Sequence, residues 1–478
     1  MRRGSGRRGT PGRGPRVVAA LLVPLLALAG CSGGGADDDG SQTQAPAGAA
    51  EPAGDIVVAS GRDVTGKGGI RQKLIDQWNQ RQQEKGSGHR ARLVELPGSA
   101  DQQRSQLLGA LQSGSAEYDV VNLDVTWVPE FADAGLVRPL PDSLVDEDVI
   151  PSVAATARWA GKVYAAPFNS DVGLLFYRRD HLKHAGVTTT ELGNDVAWST
   201  VQELSAAVGR SAPSGYEKGW TTQLAPYEGL TVNGIEAFAS ATTDFRLTDS
   251  AGRYTGSVDV LEDGLRELRN RTQPPYTLGD ATGSDEAESL GDFADGRTAF
   301  LRHWPYAYRT LHQSLTDQQL GVAPLPGRAV LGGQNLAVAK ASQRPAAARA
   351  LIEFLTGPES ERCLLDAGFA ATRQSAYTSK SLTCPLAKDR SPAGPSAAPS
   401  GEGTDRMPRD EQGRPGYARD TLLPALEKAV QRPRTPLYGA FTQTFTAGLR
   451  RLYEDKAPSD AALAEVLHAR LRSTLPRS

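Results

Sequence analysis

Histidine, cysteine and methionine are scarce, at 6, 3 and 2 residues in a chain of 478. Six scattered histidines do not supply the clustered ligands a metal-binding protein would use. His181 and His184 fall on what reads as an exposed helix, and His303 stands alone beside Trp304, so neither a metal site nor a cofactor is expected. Positive charge is not in excess: 53 basic residues stand against 55 acidic ones, which implies no nucleic acid or other polyanion as partner. Beyond residue 29 no apolar stretch is long enough to span a bilayer. No internal repeat is evident, and no nucleophile or acid motif of a hydrolase is recognisable.

What is present begins with an address. Arg2, Arg3, Arg7, Arg8, Arg13 and Arg16 precede the apolar run from Val17 to Ala29, which is short for a membrane span and ends in small residues, as an export signal does. Leu28-Ala29-Gly30-Cys31 resembles the lipobox of bacterial lipoproteins, which implies lipidation at Cys31 and an extracytoplasmic location on the cell membrane. Removing residues 1–30 takes away those six arginines and leaves 47 basic against 55 acidic residues, a formal charge of −8. Residues 31–54, rich in Gly, Asp, Ser, Gln, Ala and Pro, lack the apolar content to fold and read as a flexible tether. Cys363 and Cys384 remain as an even pair. In an exported protein that suggests one disulfide, closing a loop of about 20 residues and contributing on the order of 3 kcal/mol.

From Asp55 onward strand and helix patterns alternate. Short apolar strands at Ile56–Ala59, Leu93–Leu96 and Asp119–Leu123 are separated by helical faces carrying Ile70, Leu74, Ile75 and Trp78, then Leu107, Leu108 and Leu111. Such βα units argue for an α/β fold with a mainly parallel sheet, in which polar groups just past strand ends, Asp63 and Asp124, point into a crevice. Later strands are expected at Val163–Phe168, Leu174–Tyr177, Leu320–Leu325 and Asn335–Ala339, with Asn169-Ser170-Asp171 as a crossing between lobes. Residues 385–416, rich in Pro, Gly, Ser and charge, read as a mobile surface insertion.

The stretch FADGRTAFLRHWPYAY, 293–308, organises the rest. A Gly turn at Gly296 leads into a buried strand from Thr298 that Pro305 stops, which fixes Trp304 and Tyr306 at a strand end. Flat aromatic faces with polar tips suit a sugar ring, carboxylates accept paired bonds from neighbouring hydroxyls, and Arg donates to ring and hydroxyl oxygens. Asp63, Arg104, Asp124, Trp127, Asp171, Tyr227, Glu228, Trp304, Tyr306 and Arg373 are the candidates.

Six blocks then carry a resemblance, in order: YDVVNLDVTWVPEFADAGLVRPL (118–140), VYAAPFNSDVGLLFYRRD (163–180), QLAPYEGLTVNGIEAF (223–238), the 293–308 stretch, LGGQNLAV (331–338) and GFAATRQSAY (368–377). They resemble the family 1 extracellular solute-binding proteins, the substrate-capturing lipoproteins of ABC sugar importers, and most of all their trehalose/maltose-type branch. The resemblance implies a two-lobe periplasmic-binding-protein-like fold with a hinge and a central ligand cleft. It implies a binding protein, not an enzyme: a monomer that captures a di- or oligosaccharide by hinge closure and hands it to ABC permease subunits. Carried over by position, Arg104 and Asp124 match polar ligand contacts, Asp171 a carboxylate contact near the crossing, and Trp304 and Tyr306 stacking aromatics. Gly332 and Gly333 match a pair whose missing side chains let ligand hydroxyls reach the backbone, and Arg373 a late polar contact. Tyr227 and Glu228 either touch ligand or brace the site from below. Asn169 and Gln334 depart from the branch, which often has Tyr and Trp there, and imply a more polar or roomier pocket.

The expected division is 55–167 with 323–357 in one lobe and 168–322 with 358–478 in the other. Two alternatives stay open. A glycoside hydrolase would need two carboxyls about 5 to 9 Å apart across the scissile bond. A lipoprotein receptor would share the anchor and tether but would not require the aromatic crevice.

Overall fold

A computed structural model describes residues 51–62, 69–386 and 405–476. The export signal, Cys31 and nearly all of the expected tether lie outside these residues. From Glu51 the chain forms one compact unit, with no helix among the described residues long and apolar enough to cross a membrane.

Among the described residues eleven strands run in chain order: β1 Gly54–Gly61, β2 His89–Leu96, β3 Val120–Asp124, β4 Arg158–Trp159, β5 Lys162–Val163, β6 Ala166–Val172, β7 Leu174–Arg178, β8 Lys218–Thr221, β9 Thr298–His303, β10 Leu320–Pro324 and β11 Leu331–Val338. They build a five-stranded sheet in the order β2-β1-β3-β11-β6, a four-stranded sheet in the order β10-β7-β9-β8, and a small β4-β5 ribbon. The first sheet is less parallel than the βα pattern suggests. β1 pairs parallel with β2 and β3, but β11 runs antiparallel to both β3 and β6, because it enters from the second sheet and not from a crossover helix.

Gly173 is the point where the chain passes from one sheet to the other, β6 lying wholly in the first and β7 in the second. That is later than the expected break at residue 168. A Cβ at Gly173 would stand 2.3 Å from Glu236 Oε1 and 3.0 Å from Arg302 Nη2. The Glu236–Arg302 pair beneath it is buried, with bonds of 2.7 and 3.0 Å, and Glu236 Oε1 also accepts from Val330 N at 3.1 Å. Val330 belongs to the second passage, between β10 and β11, so one buried ion pair braces both.

Helices start where capping chemistry allows. Ser99 and Gln102 form a reciprocal box at the helix Ala100–Gln112, and Asp285 and Glu288 do so at Glu286–Ala294. A layer of helices, Glu228–Ala241, Val258–Thr272, Tyr438–Leu449 and Asp460–Thr474, packs through Phe238, Leu265, Phe445 and Leu467 into the largest apolar cluster, which continues to Leu107 and Trp127 beside the first sheet.

Cys363, on the helix Pro358–Asp366, is bonded to Cys384, and both sulfurs lie in the apolar cluster of the first sheet with Ile352 and Phe369. The disulfide closes a separation of 21 residues, worth on the order of 3 kcal/mol. Cys363→Ser should therefore lower the melting temperature by roughly 3 °C for a chain of this size and leave ligand affinity nearly intact; an unchanged melting curve would show that the cross-link does not constrain the unfolded chain.

The expected insertion is shorter than 385–416. Residues 387–404 lie outside the described residues, but 405–416 pack: Met407 and Arg414 are buried, Arg414 donating to Asp410 Oδ2 (2.7 Å) and to Tyr377 O. Arginine bonds replace the apolar burial that the composition lacks. His181 is likewise buried, its ring edge-on to Tyr216, so its short helix is not exposed on that side.

Candidate functional site

Strand ends and helix starts from both sheets converge on a cavity of about 730 Å³. β1 ends there at Gly61, β3 at Asp124 and β9 just before Trp304, while β11 begins there with Gly332, Gly333 and Gln334. The first turns of the helices Glu228–Ala241 and Glu286–Ala294 face it with Glu228 and Glu286, carboxylates placed where the helix dipole favours negative charge.

Three charged side chains form its most heavily bonded feature. Arg432, fully inside, donates from Nη1 to Glu228 Oε1 (2.6 Å) and from Nη2 to Asp124 Oδ1 and Oδ2 (2.9 and 3.2 Å). Glu228 also accepts from Tyr438 OH and from Thr442 Oγ1 (2.7 Å). Burial pushes the Glu228 carboxyl up, against the pull of Arg432, whose own proton is held more tightly by the Asp124 charge.

A second network lies around Arg71, on the first turn of the helix Ile70–Glu84. Its Nη2 donates to Gln334 Oε1 (2.8 Å) and Asn169 Oδ1 (3.2 Å), and its Nη1 to Ser60 Oγ and Gly61 O (3.0 Å each). Asn122 Nδ2 adds a bond to Gln334 Oε1 at 2.7 Å. Asn169 and Gln334 thus hold a guanidinium, which is the physical content of the more polar pocket expected from them.

The aromatic corner is built on β9. Trp304 Nε1 donates to Glu286 Oε1 (3.3 Å), Tyr227 OH to Glu286 Oε2 (2.7 Å), and the Arg302 guanidinium stands over the Trp304 ring at 3.9 Å. His303 packs edge-on to Tyr306 and its Nε2–H donates to Glu286 O (3.1 Å); burial pushes the imidazole down to about 4, so it stays neutral and structural. Beside the Trp304 ring, across Gly332, lies Asp171. Its Oδ1 is buried with no hydrogen-bond partner among the described residues. Burial, aided by the Asp124 charge and opposed by Arg71, pushes this carboxyl up to about 7.

Eight of the expected residues line the cavity: Asp124, Asp171, Tyr227, Glu228, Trp304, Tyr306, Gly332 and Gly333. Gly332 is also required by its protein neighbours. A Cβ there would meet the Trp304 ring at 3.1 Å and Asp171 Cβ at 3.1 Å, so its missing side chain admits the indole. Gly333, at φ +112°, would place a Cβ 2.4 Å from Asn169 O, just before the β6–β11 register shifts between Gln334 and Asn335.

Three candidates lie elsewhere. Arg104 is taken by Glu130, Nε to Oε2 at 2.7 Å and Nη2 to Oε1. Trp127 is buried in the apolar cluster at the start of the helix Val128–Asp133. Arg373 donates to Thr356 O (2.7 Å) and to Asp146 (2.8 and 2.9 Å). The two arginines satisfy structural partners, Trp127 fills core, and none of the three lines the cavity. Asp63 lies outside the described residues. No group of His, Cys, Asp and Glu among the described residues could hold a metal ion.

Cleft, two sheets and crossing strands define a solute-binding architecture. The family described as bacterial extracellular solute-binding protein matches residues 62–362, and the chain belongs to it. Among curated relatives, a probable ABC transporter-binding protein of Deinococcus radiodurans is 28% identical over 62% of this chain and 72% of its own length. An uncharacterized lipoprotein of Streptomyces antibioticus is 26% identical over 72% of this chain and 73% of its own. Among solved structures, maltose-bound MalE3 of T. maritima shares the fold with a TM-score of 0.70 at 22% identity, covering 88% of this chain and all of the other. The family is one of extracellular binding proteins, not enzymes.

Proposed function

We infer that this chain is the substrate-binding lipoprotein of an ABC importer, anchored through Cys31, and that its cargo is a neutral di- or oligosaccharide of the trehalose/maltose kind. The observation that carries the reading is the Asp171 oxygen buried without a partner in a cavity walled by Trp304 and Tyr306. An unsatisfied buried acceptor costs about 1–3 kcal/mol, and a ligand hydroxyl removes that cost while a sugar's CH face covers the indole. Arg71, Gln334 and Asn169 supply further polar groups on the first sheet's side, and maltose in MalE3 and the ABC transporter-binding relative agree with the assignment.

The lobes would divide at Gly173 and between β10 and β11, the cleft closing on the sugar because only the closed form contacts it from both sides. The closed form would then dock on membrane permease subunits. A micromolar dissociation constant corresponds to about −8 kcal/mol, within reach of a few desolvated hydrogen bonds and stacked rings.

Calorimetric titration with trehalose, maltose, sucrose, maltodextrins and common monosaccharides tests the reading. A saturable one-to-one signal, with the sugar recovered unchanged, is expected from one of them. Silence across the panel would remove the sugar assignment, and recovery of cleaved sugar would make the protein a hydrolase. Trp304→Ala should weaken that sugar at least tenfold while the protein still melts cooperatively; unchanged affinity would move the ligand off this wall.

A further inference from the structure

A second cavity, of about 850 Å³, shares only Arg432 with the ligand cavity. Its walls come from the β4–β5 ribbon, the segment 239–250, the passage between β10 and β11, and residues 429–434. The charge on these walls is lopsided. Arg158, Arg246, Arg328 and Arg434 face Asp244 and Asp249. Asp249 is already occupied, accepting from the Ala251 and Arg253 amides (2.9 Å each) and from Arg253 Nε (2.8 Å). Arg158 is paired with Asp142 at 2.7 Å.

The other three arginines have no carboxylate partner among the described residues. Arg246 and Arg328 are exposed and make no ion pair among the described residues. Arg328 is nevertheless held in place. Its N–H donates to Ser240 Oγ (2.8 Å), and Gly327 before it takes φ +79° in a turn too tight for a Cβ, which would stand 2.5 Å from the same oxygen. Arg434 donates to the carbonyl oxygens of Ala155 and Arg158. Burial without a compensating anion pushes its guanidinium down to about 10. Three cations therefore line one groove in a chain whose formal charge is negative, and Trp159 and Phe245 line it too.

We propose that this groove is a second binding site, for a small soluble phosphate-bearing anion. Guanidinium forks match phosphate oxygens in pairs, and a concave groove with aromatic walls fits the body of a small phosphoester better than a flat lipid surface. The site is independent of what the first cavity binds. Arg432 lines both, so an anion here reaches the segment that supplies the Asp124 and Glu228 partner.

The test is calorimetric titration of the full chain with pyrophosphate at ionic strength held constant with sodium chloride, beside the Arg246→Gln/Arg328→Gln double variant. Both side chains are exposed and unpaired, so the variant should melt as the parent does when no anion is added. Saturable one-to-one binding in the parent, weakened at least tenfold in the variant, is the expected result. Absence of saturable heat, equal affinity in the two proteins, or heat reproduced by chloride alone overturns the proposal. Sedimentation with phosphatidylglycerol vesicles separates the sources: vesicle binding lost in the variant, without pyrophosphate binding in the parent, would make the groove a membrane contact and overturn the small-molecule site.

Discussion

Arg432→Met should destabilise the protein by on the order of 3–5 kcal/mol, the cost of breaking a buried ion pair from one side, seen as a melting temperature lower by roughly 3–6 °C. Among the described residues the guanidinium is the one cation bonded to both Asp124 and Glu228, and the methionine that replaces it fills similar volume without the charge. Glu228 would keep its bonds from Tyr438 and Thr442, but Asp124 would keep only Thr126. The two carboxylates would then repel with no cation between them. The deficit should depend on pH in one direction. Burial already holds the Glu228 carboxyl up, and losing the Arg432 charge that opposes it raises this carboxyl further, so the variant's folded state binds more protons and its stability falls as pH rises through that window. The deficit is therefore full at pH 8 and shrinks toward pH 5. A loss below about 1 kcal/mol, or one that ignores pH, would mean that water already screens this cluster.

Arg432 also shows where the sequence stops being legible. Trp304 could be placed because Pro305 ends β9 after an apolar run, and Asp124 because it follows a short strand; both are local patterns that survive folding. β1, β3 and β9 follow from the same kind of signal. Arg432 sits in QRPRTP between two helices, with no periodicity or motif to distinguish it from other arginines, and its two partners are 204 and 308 residues away. Arg71 was hidden differently: it shares a helix with Ile70, Leu74 and Ile75, and its burial depends on Gln334, 263 residues distant. Arg104 and Arg373 are the opposite case. Their positions agree with ligand-contacting sites of the resembled family, but Glu130 and Asp146 take their guanidinium groups in this chain. The antiparallel course of β11 likewise reflects a chain that returns from the second sheet, a long-range fact that strand patterns do not encode.

Asp171→Asn should abolish most of the pH dependence of sugar binding and weaken it at least tenfold at pH 8. In the unliganded cavity burial holds the Asp171 carboxyl up to about 7, because Oδ1 has no donor to stabilise its charge. A sugar hydroxyl donating to that oxygen favours the ionised form, so the bound-state pKa lies below the free one. The ligand then binds more tightly to the deprotonated protein. Affinity should rise as pH climbs toward 7 and level off above it. If the bound protein holds this proton tenfold more weakly than the free protein, the sugar gains about 1.4 kcal/mol, or tenfold in affinity, across that range. Arg71, Arg302 and Arg432 act on the same carboxyl in the ionised direction and Asp124 in the other, so Asp124→Asn should move the midpoint to lower pH without removing the dependence. Asn at 171 keeps the shape and one acceptor but cannot ionise, which is why it isolates the charge. Titrations of both proteins from pH 5.5 to 8.5 check this. A parent affinity flat across that range would mean that Asp171 does not meet the ligand, and a pH-dependent Asp171→Asn variant would transfer the titration to another group in the cleft.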